Sequence, residues 1–271
     1  MRAGPLLDLD AHPIIGHRGA SGAAPENTLA AFDLALAQQA DALELDVRLT
    51  ADGVPVAIHD ATLDRTTDRA GAVANLPLVL LQEADAGARF TADGARTFPF
   101  RGCGVRVPAL REVLERYPET PLLIELKVAE AQLPVRDLIR AAEAEVRCVL
   151  ASFREDALRL FREPPFRAAA SRRAIVEHAV RAWLRWPPRD RGFALFAVPL
   201  RYLDRLTVPT PRFVATARHL GRPVHVWTVN QAATAEQLWA AGVSGMITNY
   251  PAMLRAARDR WTLRKADIRP C

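Results

Sequence analysis

Residues 42–60 read ALELDVRLTADGVPVAIHD, two strand-like runs joined by an Asp-Gly pair. An Asp-Gly pair between apolar runs is a strong signal for a tight hairpin turn. The run Val54–His59 is therefore predicted to return antiparallel to Ala42–Arg48. Glu44 and Asp46 are two residues apart and share one face of the first strand, while the alternate apolar residues occupy the other face.

The hairpin also predicts where its last residue falls. With a two-residue turn His59 lies opposite Asp46, and with a three-residue turn it lies opposite Leu45. In both registers the His59 imidazole returns to the level of the Asp46 carboxylate.

Short apolar runs and helical stretches alternate outward from this hairpin in both directions. Eight runs are predicted to be parallel strands: Ile14–His17, Ala42–Arg48, Leu122–Lys127, Cys148–Phe153, Phe166–Ala170, Ala194–Pro199, Val224–Val229 and Gly245–Thr248. Helices are predicted over Thr28–Gln39, Leu110–Tyr117, Val135–Ala144, Glu155–Arg162 and Thr234–Ala241, with Pro251 opening a last one. Eight such units in 271 residues predict an α/β fold, the (β/α)8 TIM barrel. A doubly wound open sheet is the alternative, but no G-x-G-x-x-G motif follows the first strand.

The length suits one domain, and residues 1–271 are predicted to form it. Residues 60–107 lack a clear period, which predicts an insertion after strand two that carries function or a lid. The stretch Ala257–Cys271 is charged and is predicted to be a loosely held tail.

Composition excludes several classes of protein. The chain is 50% apolar and 25% charged, which is the mixture of globular proteins and not of disordered ones. It has no apolar run long enough to span a membrane and no secretory h-region near the N-terminus, so a cytoplasmic location is predicted. Cys103, Cys148 and Cys271 are expected to be free thiols. The net charge of +5 is spread along the chain, which argues against a nucleic-acid partner. The sequence does not indicate the oligomeric state.

Acidic residues gather where the predicted strands end, and barrel enzymes place their active sites there. Glu44 and Asp46 must face the barrel interior, and Glu125 lies on the next barrel strand. Buried carboxylates are costly unless they are paired or bound to a cation. Three acids at one mouth predict a divalent cation, and oxygen ligands favour Mg²⁺ or Ca²⁺ over zinc. The alternative is a purely structural salt-bridge network with Arg18 and Lys127.

Two histidines and two basic residues are predicted to flank this cluster. His17 ends strand one, and His59 returns on the hairpin, so both suit acid–base work near neutral pH. The other four histidines are interpreted as structural. Together with Arg18 and Lys127, the pair predicts phosphodiester cleavage, because cationic groups offset the charge that grows on phosphoryl oxygens. Trp227 is either core packing or an apolar wall for a substrate group.

The order of short motifs resembles the glycerophosphodiester phosphodiesterase family. The motifs are His17-Arg18-Gly19, Pro25-Glu26-Asn27-Thr28, Glu44-Leu45-Asp46-Val47, Asp52-Gly53-Val54-Pro55-Val56, His59-Asp60, Leu63-Asp64-Arg65-Thr66-Thr67, Val107-Pro108-Ala109-Leu110, Ile124-Glu125-Leu126-Lys127, Val226-Trp227-Thr228-Val229-Asn230 and Ile247-Thr248-Asn249-Tyr250-Pro251. These motifs depart from the family pattern at one position: Asn249 occupies a place where the family commonly has Asp.

The resemblance implies a TIM-like barrel that hydrolyses glycerophosphodiesters, which are small molecules, to an alcohol and sn-glycerol 3-phosphate. It implies the following roles: His17 and His59 as the acid–base pair, Glu44, Asp46 and Glu125 as ligands of one Mg²⁺ or Ca²⁺, Arg18 and Lys127 as phosphate contacts, and Trp227 as a pocket wall.

Two other functions are compatible with the same residues. A lysophospholipase D-like or cyclising phosphodiesterase would act on lipids and would need a hydrophobic entry surface. Phe90, Phe98 and Phe100 in the insertion are weak candidates for that surface, and packing of the insertion onto the barrel is the favoured explanation for them. A non-catalytic ligand-binding barrel would require the loss of an essential group.

Overall fold

The structure is a computed structural model that describes residues 4–202 and 206–267. Its strands are β1 Ile14–His17, β2 Ala42–Leu49, β3 Pro55–Ala57, β4 Leu122–Leu126, β5 Cys148–Ala151, β6 Phe196–Pro199, β7 Arg201–Tyr202, β8 Leu206–Thr207, β9 Val224–Trp227 and β10 Gly245–Thr248. Its α-helices are α1 Leu29–Ala37, α2 Leu78–Leu81, α3 Leu110–Arg116, α4 Gln132–Ala141, α5 Arg172–Trp183, α6 Pro211–His219, α7 Ala232–Ala240 and α8 Pro251–Asp267.

Seven of these strands form one parallel ring segment in the order β5-β4-β2-β1-β10-β9-β6. The predicted strand Phe166–Ala170 closes the ring, but it is reduced to single bridges, from Ala168 to Leu150 and from Ala169 to Leu195. Its run of alanines explains this, since alanine is depleted in strands. The predicted (β/α)8 TIM barrel is confirmed, with this one strand shorter than expected.

Two local predictions are wrong. The stretch Glu155–Arg162 forms a 3₁₀-helix over Asp156–Phe161 and not an α-helix. The stretch predicted as a loose tail is α-helical to Asp267, and residues 268–271 lie outside the described part of the chain. Its apolar residues recur at helical spacing, and the Trp261 ring packs 5.6 Å from the Trp239 ring and 5.0 Å from His12.

The hairpin adopts the longer of the two predicted turns. Val47 pairs with Ala57 and Leu49 pairs with Pro55, so a three-residue turn separates Thr50 from Val54. Gly53 ends this turn with a φ of 75°, a left-handed conformation that glycine adopts without strain. The Ile58 N–H donates to the Asp46 carbonyl over 3.0 Å, so His59 returns to the level of Leu45 and Asp46 in β2.

Residues 60–107 lie between β3 and α3. They contain a 3₁₀-helix over Val73–Asn75 and the single turn of α2, and they pack on β3 through a small buried cluster: Val56, Ile58, Leu63, Val73, Leu81, Ala84, Ala86 and Val107. None of the helices in the described ranges is both long and apolar enough to cross a bilayer.

Candidate active site

The register of the barrel strands brings the predicted site residues to one mouth. His17 is paired with Glu44 between β1 and β2, and Asp46 is paired with Glu125 between β2 and β4. Lys127 directly follows β4. His17, Glu125 and Lys127 lie at the carboxyl ends of β1 and β4, and the register puts Glu44 and Asp46 of the longer β2 at the same level, at the end of the barrel where parallel barrels hold their active sites.

The faces of β2 explain why its two acids point inward. Leu43, Leu45 and Val47 are fully buried in the layer between strands and helices. Because side chains alternate along a strand, Glu44 and Asp46 face the barrel interior. Both are buried there, with exposed fractions of 6% and 1%.

The three carboxylates form a cluster whose donor set fits a hard divalent cation. One oxygen from each of Glu44, Asp46 and Glu125 lies within 4.8 Å of the others. Burial, followed by repulsion from Asp46 and Glu125, raises the pKa of Glu44 well above its usual range. A bound cation would relieve this repulsion, and carboxylate oxygens are the ligands that Mg²⁺ and Ca²⁺ prefer.

The site also contains ion pairs of the kind that a purely structural salt-bridge network would form. The Lys127 ammonium lies 2.8 Å from Asp46 Oδ1 and 2.7 Å from Glu125 Oε1, and Arg18 Nε lies 2.9 Å from Asp46 Oδ2. Burial pushes the pKa of Asp46 up, but the two cationic groups outweigh burial and hold it below its usual range. Glu44 forms no ion pair among the described residues, and the attraction of Arg18 and Lys127 does not outweigh its burial and the repulsion from the other two carboxylates.

The backbone before helix α1 is shaped around this cluster. Arg18 has a φ of 55°, and its N–H donates to Glu44 Oε2 over 3.0 Å. Gly19 follows with a φ of 83°, and a Cβ there would lie 2.5 Å from the carbonyl carbon of Ala31. Strained left-handed residues at a mouth of this kind are typical of functional sites.

Asn27 contacts the cluster, although its position in the sequence indicated only a possible cap for the first helix. Its Nδ2 donates to Asp46 Oδ2 over 2.9 Å, and its Oδ1 accepts from the Asp46 N–H over 3.1 Å. This two-point clamp fixes both the backbone and the carboxylate of Asp46. The signal was available in the motif Pro25–Thr28, which also supplies the cap of helix α1 through Thr28.

The two histidines have different partners. The Nδ1 atom of His17 lies 2.7 Å from Asn249 Oδ1, and burial, followed by the charge of Arg18, lowers the pKa of His17 to about 4. The Nδ1 atom of His59 lies 2.6 Å from Asp60 Oδ1. His17 is therefore a neutral imidazole near pH 7, whereas His59 is paired with a carboxylate.

A chain of charges joins His59 to Arg18 along the rim. Arg65 donates from Nε to Asp60 Oδ2 over 2.6 Å and from its two terminal nitrogens to Glu26. Glu26 in turn accepts from Arg18 over 2.9 Å. The sequence placed Glu26, Asp60 and Arg65 in motifs but did not show that they meet.

All of the predicted site residues except Asp46 line one cavity of about 120 Å³. Its polar wall includes His17, His59, Glu44 and Lys127, while its apolar wall includes Trp227, which lies edge-on 5.9 Å from Phe153. The cavity lining does not include Phe90, Phe98 or Phe100. Phe90 packs edge-on 5.4 Å from Phe100, and Arg101 covers the ring of Phe98 at 3.9 Å.

Two imidazoles that line one cavity with cationic side chains suit an enzyme that cleaves phosphate esters, and comparisons with known proteins narrow that class of enzyme. Residues 17–253 match the glycerophosphoryl diester phosphodiesterase family. The chain is 37% identical over 246 residues to YhdW of Bacillus subtilis strain 168, covering 88% of this chain and 94% of that protein. It is 32% identical over 251 residues to a glycerophosphodiester phosphodiesterase of Caldanaerobacter subterraneus subsp. tengcongensis, covering 89% of this chain and 95% of that one.

Solved structures that resemble this chain are also glycerophosphodiester phosphodiesterases or related phosphodiesterases. A glycerophosphodiester phosphodiesterase of Agrobacterium tumefaciens strain C58 superposes with a TM-score of 0.70 at 29% identity, covering 90% of this chain and 99% of that one. A phosphodiesterase of Oleispira antarctica in complex with the product sn-glycerol-3-phosphate superposes with a TM-score of 0.73 at 26% identity, covering 91% and 96%. The chain belongs to the glycerophosphoryl diester phosphodiesterase family and is a phosphoric diester hydrolase.

Proposed function

We propose that this enzyme hydrolyses glycerophosphodiesters to an alcohol and sn-glycerol 3-phosphate with one divalent cation, Mg²⁺ or Ca²⁺. The observation that carries the proposal is the position of three clustered carboxylates and two histidines at one barrel mouth. The Oleispira antarctica relative, which holds sn-glycerol-3-phosphate, supports the choice of product.

Glu44, Asp46 and Glu125 would hold the cation. When bound, the cation would offset the negative charge on the phosphoryl oxygens. Arg18 and Lys127 line the same cavity and add two further positive charges for the phosphate group. Trp227 and Phe153 form the apolar wall on which the organic part of the substrate would lie.

The two imidazoles divide the proton transfers between them. His17 is neutral near pH 7 because its pKa is about 4, so its unprotonated nitrogen accepts a proton from the attacking oxygen. His59 is held through Nδ1 by the Asp60 carboxylate over 2.6 Å, which leaves Nε2 for the substrate, and with His17 taking the first proton the second transfer falls to His59. His59 is therefore assigned to protonate the departing alkoxide.

None of the three insertion phenylalanines lines the cavity, so these residues do not favour the lipid-active alternative. Hydrolysis of small diesters fits the cavity of about 120 Å³ better.

A direct assay tests the proposal. Protein stripped with a chelator is incubated with glycerophosphocholine or glycerophosphoethanolamine and a series of divalent metals, and glycerol 3-phosphate is measured. We expect release that depends on added metal, and a loss in kcat on the order of 10²-fold or more in His17→Ala. His219→Ala is the matched control, because His219 is exposed on α6. Absence of release with every metal, or a His17→Ala variant as fast as the parent, would refute the proposal.

A further inference from the structure

Helix α5, Arg172–Trp183, presents an apolar face to solvent. Its inner face is fixed on the barrel, because His178 is buried with its ring 4.6 Å from the rings of both Phe196 and Phe213. The opposite face carries Val176, Val180 and Trp183, which recur at the spacing of one helix face. Trp183 is 80% exposed, and the two valines are about half exposed.

The chain that leaves α5 extends this face. Leu184 and Trp186 are exposed by 38% and 54%. Trp186 is held against the end of the helix by Arg181, whose guanidinium lies 5.9 Å from the indole ring and whose Nε donates to the Pro187 carbonyl over 2.8 Å. We call the five exposed side chains the α5 patch: Val176, Val180, Trp183, Leu184 and Trp186. Exposed apolar groups concentrated in this way mark an interaction surface.

Positive charge surrounds the α5 patch. Residues 172–191 contain six arginines and only two carboxylates. Both carboxylates are already neutralised, since Glu177 pairs with Arg191 and Asp190 pairs with Arg222. Among the residues that the structure describes, Arg185 and Arg189 form no ion pair, and Arg173 is attracted to Glu155 without forming an ion pair with it. This segment of the chain therefore carries a local excess of positive charge.

We propose that the α5 patch docks the enzyme on the surface of a bilayer that contains anionic lipids. Tryptophans prefer the level of the lipid headgroups, and arginines beside them attract anionic headgroups. The inner face of α5 stays on the barrel, so only the side chains of the patch enter the interface. This mode of attachment requires no spanning helix.

The surrounding charge argues against two other occupants. In a symmetric dimer formed through the same patch, arginines of one copy would face arginines of the other, which is destabilising. A nucleic acid would satisfy the arginines but would leave the aliphatic valines and leucine in contact with polar backbone and water. An anionic lipid surface satisfies both the charged and the apolar groups.

Vesicle sedimentation tests the proposal. The full-length protein is mixed at low ionic strength with vesicles of phosphatidylcholine alone or with 3:7 phosphatidylglycerol:phosphatidylcholine, a ratio on the order used to mimic anionic leaflets. We expect binding to the anionic vesicles that weakens with added salt. The double variant Trp183→Ser/Trp186→Ser should reduce the partition coefficient by more than about tenfold, because it removes the largest apolar groups of the patch.

Matched control variants distinguish membrane binding through the α5 patch from nonspecific adsorption of exposed apolar side chains. Val79→Ser/Leu263→Ser removes two apolar side chains that are each 68% exposed elsewhere on the surface, and it should bind like the parent. Arg185→Gln/Arg189→Gln should lose affinity for anionic vesicles and much of the salt dependence. Equal binding to both kinds of vesicle, no binding at low salt, or undiminished binding by the tryptophan double variant would overturn the proposal. So would gel filtration that shows a dimer of the parent and a monomer of that variant, since the occupant would then be a second copy.

Discussion

The Nδ1 atom of His59 lies 2.6 Å from Oδ1 of Asp60, the next residue in the chain. The Asp60 carboxylate can only accept, because the hydrogen bond from Arg65 and then the hydrogen bond from His59 overcome burial and hold its pKa far below its usual range. One hydrogen of His59 is therefore held on Nδ1, and Nε2 is left to carry the proton that His59 is assigned to pass to the leaving group.

Replacing Asp60 with asparagine should slow the reaction without weakening substrate binding. The amide can turn its NH₂ group toward His59, so the tautomer and the charge balance are both lost. We expect kcat to fall on the order of 10²-fold and KM to change by less than about threefold. Steady-state kinetics with a glycerophosphodiester measure both values.

Asp64→Asn is the control for that variant, because Asp64 belongs to the same loop but is exposed and accepts from the Gly71 N–H. A rise in KM with an unchanged kcat in Asp60→Asn would show that Asp60 holds substrate and does not position His59.

Asn249→Asp should shift the acid limb of the pH profile. Asn249 Oδ1 lies 2.7 Å from His17 Nδ1, and a carboxylate there would favour the imidazolium and raise the pKa of His17 from about 4. If His17 is the base, activity between pH 4 and 7 must fall. We expect the lower inflection of kcat/KM to rise by about one unit or more.

The control for this variant is Asn75→Asp, which makes the same charge change at an exposed residue far from the mouth. An increase in activity at low pH in Asn249→Asp would instead assign His17 as the acid.

Glu44→Gln should separate stability from cation binding. Burial and the neighbouring carboxylates disfavour the charged form of Glu44, so removing its charge relieves an unfavourable interaction in the metal-free protein. We expect an unfolding temperature equal to or above that of the parent without metal. The increase in unfolding temperature on adding Mg²⁺ or Ca²⁺ should disappear.

Thermal unfolding with and without metal measures both effects, and Glu119→Gln provides an exposed control. A Glu44→Gln protein that metal stabilises as much as the parent would exclude Glu44 as a ligand.

His225 should make the fold sensitive to acid. It is fully buried, its Nε2 lies 2.8 Å from the Leu6 carbonyl oxygen, and burial lowers its pKa to about 4. The unfolded chain binds this proton near pH 6.5 and the folded chain does not, so stability is present above pH 6.5 and is lost as the pH falls toward 4. The loss amounts to about 3 kcal/mol at most.

Urea unfolding between pH 7 and 4 checks this value. His225→Gln should show a shallower decrease over that interval, and His219→Gln, at an exposed position, should follow the parent. Identical slopes for His225→Gln and the parent would assign the acid sensitivity to other groups.

The positions of some site residues could be predicted from the local sequence pattern alone. The alternation around Glu44 and Asp46 predicted their shared face, and the Asp52-Gly53 turn predicted the return of His59 to their level. The weak strand at Ala168–Ala169 and the helical end of α8 were predicted less well, because their formation depends on neighbours that the local pattern does not contain.

By itself the sequence determined the barrel class, the family and the residue types at the strand ends, since periodicity, turn chemistry and motif order are local properties of the chain. Only the tertiary structure decided which atoms meet. His17 reaches Asn249 across 232 residues because β1 pairs with β10, and Glu26 meets Arg65 because the segment after β3 folds back over the mouth. Such contacts depend on ring closure and strand register, which no short stretch of sequence contains.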